Sequence, residues 1–349
     1  MLNIGQLVST VQKNCHISDA QHAGKLTLCI YLLKMREFYR WENDIPLTRQ
    51  LAKDDVGRWL QEREQMWEHL EANRFDPIPL EHGSSDPFDT DDINRELVPQ
   101  GYVYSGGVGR FCKPHFFLGE LLRRERRGAV DILVSGREYV RDLNAAPAAL
   151  QRGTVYLRQE ALRRWLWEKI EGWNLRQRDG AIKATLDSYG YAADPLQAIE
   201  SMTIAESETL ILHELGEHAA GEFLGPDWEG MLQGMSSRRA EILARAVRDN
   251  LADCLSTLPA LLQRDAQASL HFWFANFDGM RQVLFPSLTA AYAAWSESGD
   301  ALPLQAALVK GTAHWQALAT RLLEIYRQRG ATADSQIEAL AEKLDALAL

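Results

Sequence analysis

The residues best suited to chemistry lie in LILHELGEHAAGEFLG, Leu210 to Gly225. On a helix, His213 and Glu217 stand four apart on a common face. Glu206, seven residues before His213, falls on the same stripe, because each residue turns the helix by ~100°. Imidazole nitrogen and carboxylate oxygen are acceptable ligands for zinc, iron or manganese. Glu206, His213 and Glu217 are therefore candidate metal ligands. Glu214 is the candidate catalytic base that takes a proton from metal-bound water. Metal-dependent hydrolysis is the most concrete activity this pattern supports. Iron or manganese held by the same three residues in a carboxylate-bridged site would instead make an oxidoreductase, although the Glu-x-x-His of di-iron bundles is missing. The helical wheel also has a plainer reading. Ile211, Leu212, Leu215 and Ala219 define an apolar face, and the Glu206/His213/Glu217 stripe lies opposite, open to water in a peripheral helix. That arrangement needs no chemistry and suits a non-enzymatic helical interaction or assembly protein. Leu210 and Leu224 share the polar side and hint that both faces are covered.

Within this stretch, HELGEHAAG resembles the His-Glu-x-x-His helix of zincin metalloproteases. The resemblance implies zinc, with Glu214 as general base. It spans only these nine residues and fails at the second His, which stands at 218 rather than 217. One extra residue rotates a side chain by ~100° about the axis, so His218 cannot pair with His213 in the usual way. Glu217 holds that register, and His218 forms a separate i,i+4 pair with Glu214.

Other candidates are more scattered. His22 and Cys29 lie seven apart, with Glu37 on a neighbouring stripe. His271 and Asp278 repeat that spacing among aromatics in HFWFANFD, where a buried Asp needs a partner. His314 has little to distinguish it. In YSGGVGRFCKPHFF, Gly106, Gly107 and Gly109 precede Arg110, Cys112 and His115. Backbone N–H groups of such a loop can cradle an anion, and Cys112 with His115 could act as nucleophile and base. Neither a Walker A sequence nor Gly-x-Gly-x-x-Gly is present. Arg123, Arg124, Arg126 and Arg127, around Glu125, read as a solvated helix end or an anion-binding patch.

These residues need elements to position them. A capping pattern at Ser18 and Gln21 and apolar spacing predict a helix over 18–42. A second follows over about 54–72. Pro, Gly and Asp mark 76–101 as a loop or linker. YVYSGGVGRF, AVDILVSGREYV and GTVYLR read as strands, PHFFLGELLRRERR as a helix, and DLNAAPAALQ as a turn or short helix. Helices are expected at 159–173, 178–189, 194–223, 236–258, 262–278, 280–295, 303–329 and 333–347. The expected fold class is mainly α: an irregular multi-helix bundle with a small α/β portion. Its parts are an N-terminal helical segment (1–75), a linker (76–101), a small α/β portion (102–173) and a C-terminal helical bundle (174–349).

With 349 residues, the chain is long enough to bury a substantial core. A formal net charge of -10 argues against nucleic acid or anionic lipid as a partner. The longest apolar run, LTLCIYLL, falls short of the ~20 residues that span a bilayer. Four Cys in no metal-binding spacing, and no visible signal peptide, predict free thiols in the cytoplasm. Homo-oligomerisation is left open. KPHFFLGELLRRERR, VDILVSGREYVRDL and ILHELGEH together resemble an uncharacterised bacterial protein family of unknown function, from about Gly101 to the C-terminal helices. That resemblance implies a bacterial cytoplasmic protein and transfers no activity.

Overall fold

Helix α1 (Ile4–His22) starts where the Asn3 side chain accepts the Gln6 N–H. The computed structural model describes residues 2–109, 112–175 and 178–349. Contacts divide the chain into two compact units, Met1–Ile170 and Glu171–Leu349. In the first, the single helix expected over 18–42 is two: α1 ends at His22 and α2 covers Leu28–Glu42. The break at Ala23–Thr27 contains Gly24, a poor helix former. Helix α3 follows (Lys53–Leu70).

The expected linker at 76–101 is structured. It holds a hairpin, β1 (Ile78–Leu80) with β2 (Gly83–Ser85), and helix α4 (Thr90–Leu97). Asn94 of α4 donates to the Tyr104 carbonyl (2.7 Å) and accepts from the Tyr104 N–H (2.8 Å). Those bonds cap the edge of a five-stranded sheet ordered β3-β4-β5-β7-β6. Its strands are β3 (Tyr102–Val108), β4 (Pro114–Arg127), β5 (Val130–Val140), β6 (Ala148–Gln151) and β7 (Thr154–Arg158). Helix α5 (Gln159–Asn174) follows directly.

Strand β4 corrects the helix expected at PHFFLGELLRRERR. It pairs antiparallel with β3, from Tyr102↔Glu120 to Val108↔Pro114, and with β5 through a turn at Gly128. Phe116 and Leu118 pack with Leu7, Val11 and Cys15 of α1, while Phe117 joins Val103, Leu133 and Tyr156. Apolar cover on both faces removes the period-two signal, and cross-strand packing overrides the helical propensity of LLRRERR. DLNAAPAALQ likewise ends in a strand, β6, joined to β7 by a turn with Arg152 and Gly153 at positive φ. Strands β5 and β7 run parallel, Asp131↔Thr154 to Ser135↔Arg158.

The second unit is helical throughout its regular elements among the described residues. They are α6 (Ala181–Ser188), α7 (Pro195–Leu224), α8 (Pro226–Gly234), α9 (Arg238–Ala252), α10 (Leu258–Gln263), α11 (Gln267–Ala275), α12 (Gly279–Leu284), α13 (Pro286–Ser298), α14 (Leu302–Arg329) and α15 (Ala333–Ala341). A π-helical turn, Asp253–Thr257, joins α9 to α10. Trp228, Leu243, Val247, Phe285, Trp315 and Leu322 are buried in one shared core. No described helix is long and apolar enough to cross a membrane.

Candidate metal centre

Helix α7 carries the His/Glu stretch. Asp194 caps its start by accepting the Gln197 N–H (3.0 Å), and Pro195 occupies the first turn, where no N–H is needed. Its middle lies close to the end of α9 at Gly216, where a Cβ would sit 2.3 Å from the Ala252 carbonyl oxygen. The Ser256 hydroxyl donates to the Leu212 carbonyl (2.8 Å) across the same contact. The partner segment is the π turn. Pro259 has no N–H to return to the carbonyl of Leu255, which favours an irregular turn there. The wider turn sets Asp253 against His213.

His213 Nδ1 lies 2.9 Å from Asp253 Oδ1. Asp253 also accepts from Trp273 Nε1 (3.1 Å) and from Arg281 Nη2 (2.5 Å), so both its oxygens are engaged. Burial alone would raise the Asp253 pKa, but His213 and Arg281 hold it below the usual carboxylate range. On the other side of the ring, His213 Nε2 is 3.6 Å from Glu217 Oε1. Arg248 Nη2 donates to that same oxygen at 2.6 Å and to Asp249 Oδ1 at 3.3 Å. Its Nη1 is 3.8 Å from the exposed Glu229. One ligand atom each from His213, Glu217 and Asp249 lies within 4.8 Å of the others. Against the cost of burial, Arg248 and His213 hold Glu217 well below the ordinary range. Glu214 goes the other way: burial, then repulsion from Glu217, raises its pKa above the ordinary carboxylate range. Burial opposes a charge on His213, yet Asp253 and Glu217 raise its pKa well above that of a free imidazole.

The stripe is therefore covered by protein at Glu206 and only partly open at His213 and Glu217. Glu206 is fully buried. It accepts from Tyr189 Oη (2.5 Å), Thr209 Oγ1 (2.6 Å) and Ser269 Oγ (3.1 Å). Seven residues are about 10 Å along a helix axis, and Asp249 of α9, not Glu206, completes the His213/Glu217 group. His218 turns toward Glu222 (3.7 Å). Sequence reasoning missed Asp249, Asp253 and Arg248. The i,i+4 spacing of Asp249 and Asp253 was a readable signal, but no local rule places α9 beside α7.

The remaining candidates are dispersed. His22, at the end of α1, bonds the Ser18 carbonyl (3.0 Å), and Cys29 is exposed on a different helix. Glu37 is buried against Arg36 and Arg40. His271 Nδ1 meets Tyr292 Oη (2.8 Å), Asp278 precedes α12, and His314 bonds the Leu347 carbonyl. Gly106 and Gly107 are strand residues of β3, not a phosphate loop. A Cβ on Gly106 would meet the Pro87 carbonyl at 2.2 Å, and one on Gly107 the Gln151 side chain at 1.9 Å. Cys112 is exposed at positive φ, while His115 meets Gln151 Nε2 at 3.2 Å. Arg110 lies outside the described residues. The Arg123–Arg127 patch is an exposed end of β4 with ion pairs to Glu125 and Asp131.

Fold and site together define a mainly helical protein of two units, with a partly buried His–carboxylate–Arg cluster in the second. The chain belongs to the family of unknown function DUF6866: the model of its N-terminal domain matches residues 6–158 and that of its C-terminal domain residues 163–344. Neither description mentions a zinc protease. No match is found among curated proteins or among solved structures.

Proposed function

We propose that the second unit binds one divalent cation through His213 Nε2, Glu217 and Asp249, and that the protein is a metal-dependent hydrolase. The observation that carries this reading is the His213–Asp253 contact. A carboxylate on Nδ1 fixes the ring and leaves Nε2 facing Glu217, the usual support of a metal-bound imidazole. One imidazole and two carboxylates suit zinc, iron or manganese. The metal would supply Lewis-acid polarisation of the bond to be cleaved. Glu214, next to His213 on α7, is the carboxyl group available to pass a proton from the attacking water to the leaving group. Arg248 would release Glu217 and turn toward Glu229, which is 3.8 Å away and exposed. Glu206, saturated by three hydroxyls, supports a mononuclear site over a carboxylate-bridged oxidoreductase. The four free thiols are in keeping with a cytoplasmic setting.

A second reading rests on Arg248. At 2.6 Å from Glu217 it already balances the carboxylates, as in a structural ion network of a helical interaction protein. Metal analysis separates the two. Protein purified without chelator and resupplied with zinc, iron(II) or manganese is expected to hold about one equivalent, lost in His213→Ala, Glu217→Ala and Asp249→Asn. Wild type without metal after resupply refutes the metal reading and leaves the ion network.

A further inference from the structure

The first unit contains a cluster of buried arginines with more donors than its carboxylates satisfy. Arg141 follows the last residue of β5, Arg158 closes β7, and Arg164 lies in the second turn of α5. All three are more than nine-tenths buried. Arg158 Nε donates to Glu138 Oε1 (2.8 Å), and Arg141 Nη1 is 3.8 Å from Glu138 Oε2. Arg164 donates to Glu160 Oε1 (3.0 Å), while Glu160 Oε2 accepts the Glu138 N–H (2.8 Å). The three guanidiniums are thus joined through two carboxylates.

That pairing leaves four buried nitrogens, Arg141 Nε and Nη1, Arg158 Nη2 and Arg164 Nη1, with no hydrogen-bond partner among the described residues. Trp167 Nε1, one turn beyond Arg164, is in the same state. The nearby carboxylate oxygens without a hydrogen bond, Glu138 Oε2 and Asp142 Oδ2, each have a cation at 3.8 Å, from Arg141 and Lys113. Arg141 Nη1 is the group facing Glu138 Oε2, so the donors left in excess are Arg141 Nε, Arg158 Nη2 and Arg164 Nη1. Aromatic faces hold two of the guanidiniums in place, Arg158 over Phe117 at 4.2 Å and Arg141 over Trp41 at 5.8 Å. Burial lowers the Arg141 pKa and repulsion from Arg158 and Arg164 adds to it, against the pull of Glu138 and Asp142. Buried cations with unused N–H groups are costly, and an anion relieves both the charge and the missing acceptors.

We infer that Arg141, Arg158 and Arg164 bind a tetrahedral oxyanion, the phosphate of a small molecule or inorganic phosphate itself. Three donors, Arg141 Nε, Arg158 Nη2 and Arg164 Nη1, on three separate forks match a tetrahedral group better than the two coplanar oxygens of a carboxylate. The site lies wholly in the first unit and does not depend on the metal reading. Calorimetric titration of the phosphate-free full chain with inorganic phosphate, at fixed ionic strength in chloride, tests it. One saturable site per chain is expected, with acetate at least about tenfold weaker. Arg141→Gln and Arg164→Gln, checked for folding by circular dichroism, should weaken phosphate binding at least about tenfold, and exposed Arg123→Gln should leave it unchanged. If the glutamine variants unfold, Arg141→Lys takes their place, keeping the charge and losing the fork, and should weaken binding about fivefold or more. No saturable phosphate heat, acetate as tight as phosphate, or unchanged affinity in the folded arginine variants overturns the assignment. Mass spectrometry of small molecules released on denaturation then distinguishes an organic phosphate from the free ion.

Discussion

Alanine at Gly216 should reverse the usual effect of replacing glycine in a helix. In an unobstructed helix interior Gly→Ala gains about 1 kcal/mol, from reduced backbone entropy in the unfolded chain. At Gly216 the new Cβ would stand 2.3 Å from the Ala252 oxygen and 2.8 Å from its carbonyl carbon. Carbon–oxygen contacts normally stop near about 3.3 Å, so α7 and the start of the π turn must separate by roughly 1 Å. The obstacle is backbone, which cannot rotate away as a side chain would, and overpacking of this kind costs about 1–3 kcal/mol. Gly221, on the same helix, is the internal control, since a Cβ there meets nothing within 4 Å. Urea denaturation followed by tryptophan fluorescence should therefore show Gly221→Ala stabilised by up to about 1 kcal/mol and Gly216→Ala about 1–3 kcal/mol below it. The separation also pulls Asp253 from His213, so metal affinity should fall in Gly216→Ala and hold in Gly221→Ala. Equal stabilisation by both alanines would refute the close approach that builds the site.

Three further outcomes are expected. His16 is buried, with Arg63 Nη1 donating to Nε2 (2.9 Å), and burial followed by the Arg63 charge lowers its pKa from 6.5 to about 3. The unfolded chain then takes up a proton that the folded chain refuses, so this contribution is complete above pH 6.5 and falls away on acidification. The loss is about 1 kcal/mol by pH 5.5 and about 3 kcal/mol by pH 4.5. His16→Gln should remove that part of the slope, and parallel stability–pH curves for the two proteins would count against it. Asp253→Asn keeps the shape of the ring's support but removes its charge, and zinc titration should show affinity reduced by about 10–100-fold. Glu206→Ala strands three hydroxyls and should cost about 3 kcal/mol in urea melts, while Glu206→Gln costs about 1 kcal/mol. Neither change should alter metal content, and loss of metal in Glu206→Gln would return that residue to the ligand set.

Much of the helical half was legible because its apolar residues recur at three and four. The termini of α7 and α14 follow from Asp194, Pro195, Gly225 and Gly330 as much as from that spacing. Strands β5 and β7 were legible as β-branched runs. The register of His213 with Glu217, and the exclusion of His218, came from four-residue geometry alone. These features depend on neighbours within one or two turns, and such neighbours are written in order along the chain. Strand β4 was not legible, because its state is set by β3 and β5 on either side and by α1 against Phe116 and Leu118. The split at Ala23–Thr27 was also missed, since a pattern of apolar spacing passes through a short break. Most of the candidate site belongs to the same class. Arg248, Asp249 and Asp253 lie 31 to 40 residues beyond Glu217 or His213 and reach them only because Gly216 lets α7 sit against the π turn. Local spacing decided which side chains share a face. Long-range packing decided how far the face is covered and which carboxylates stand across from it, and so which way each group's pKa is pushed.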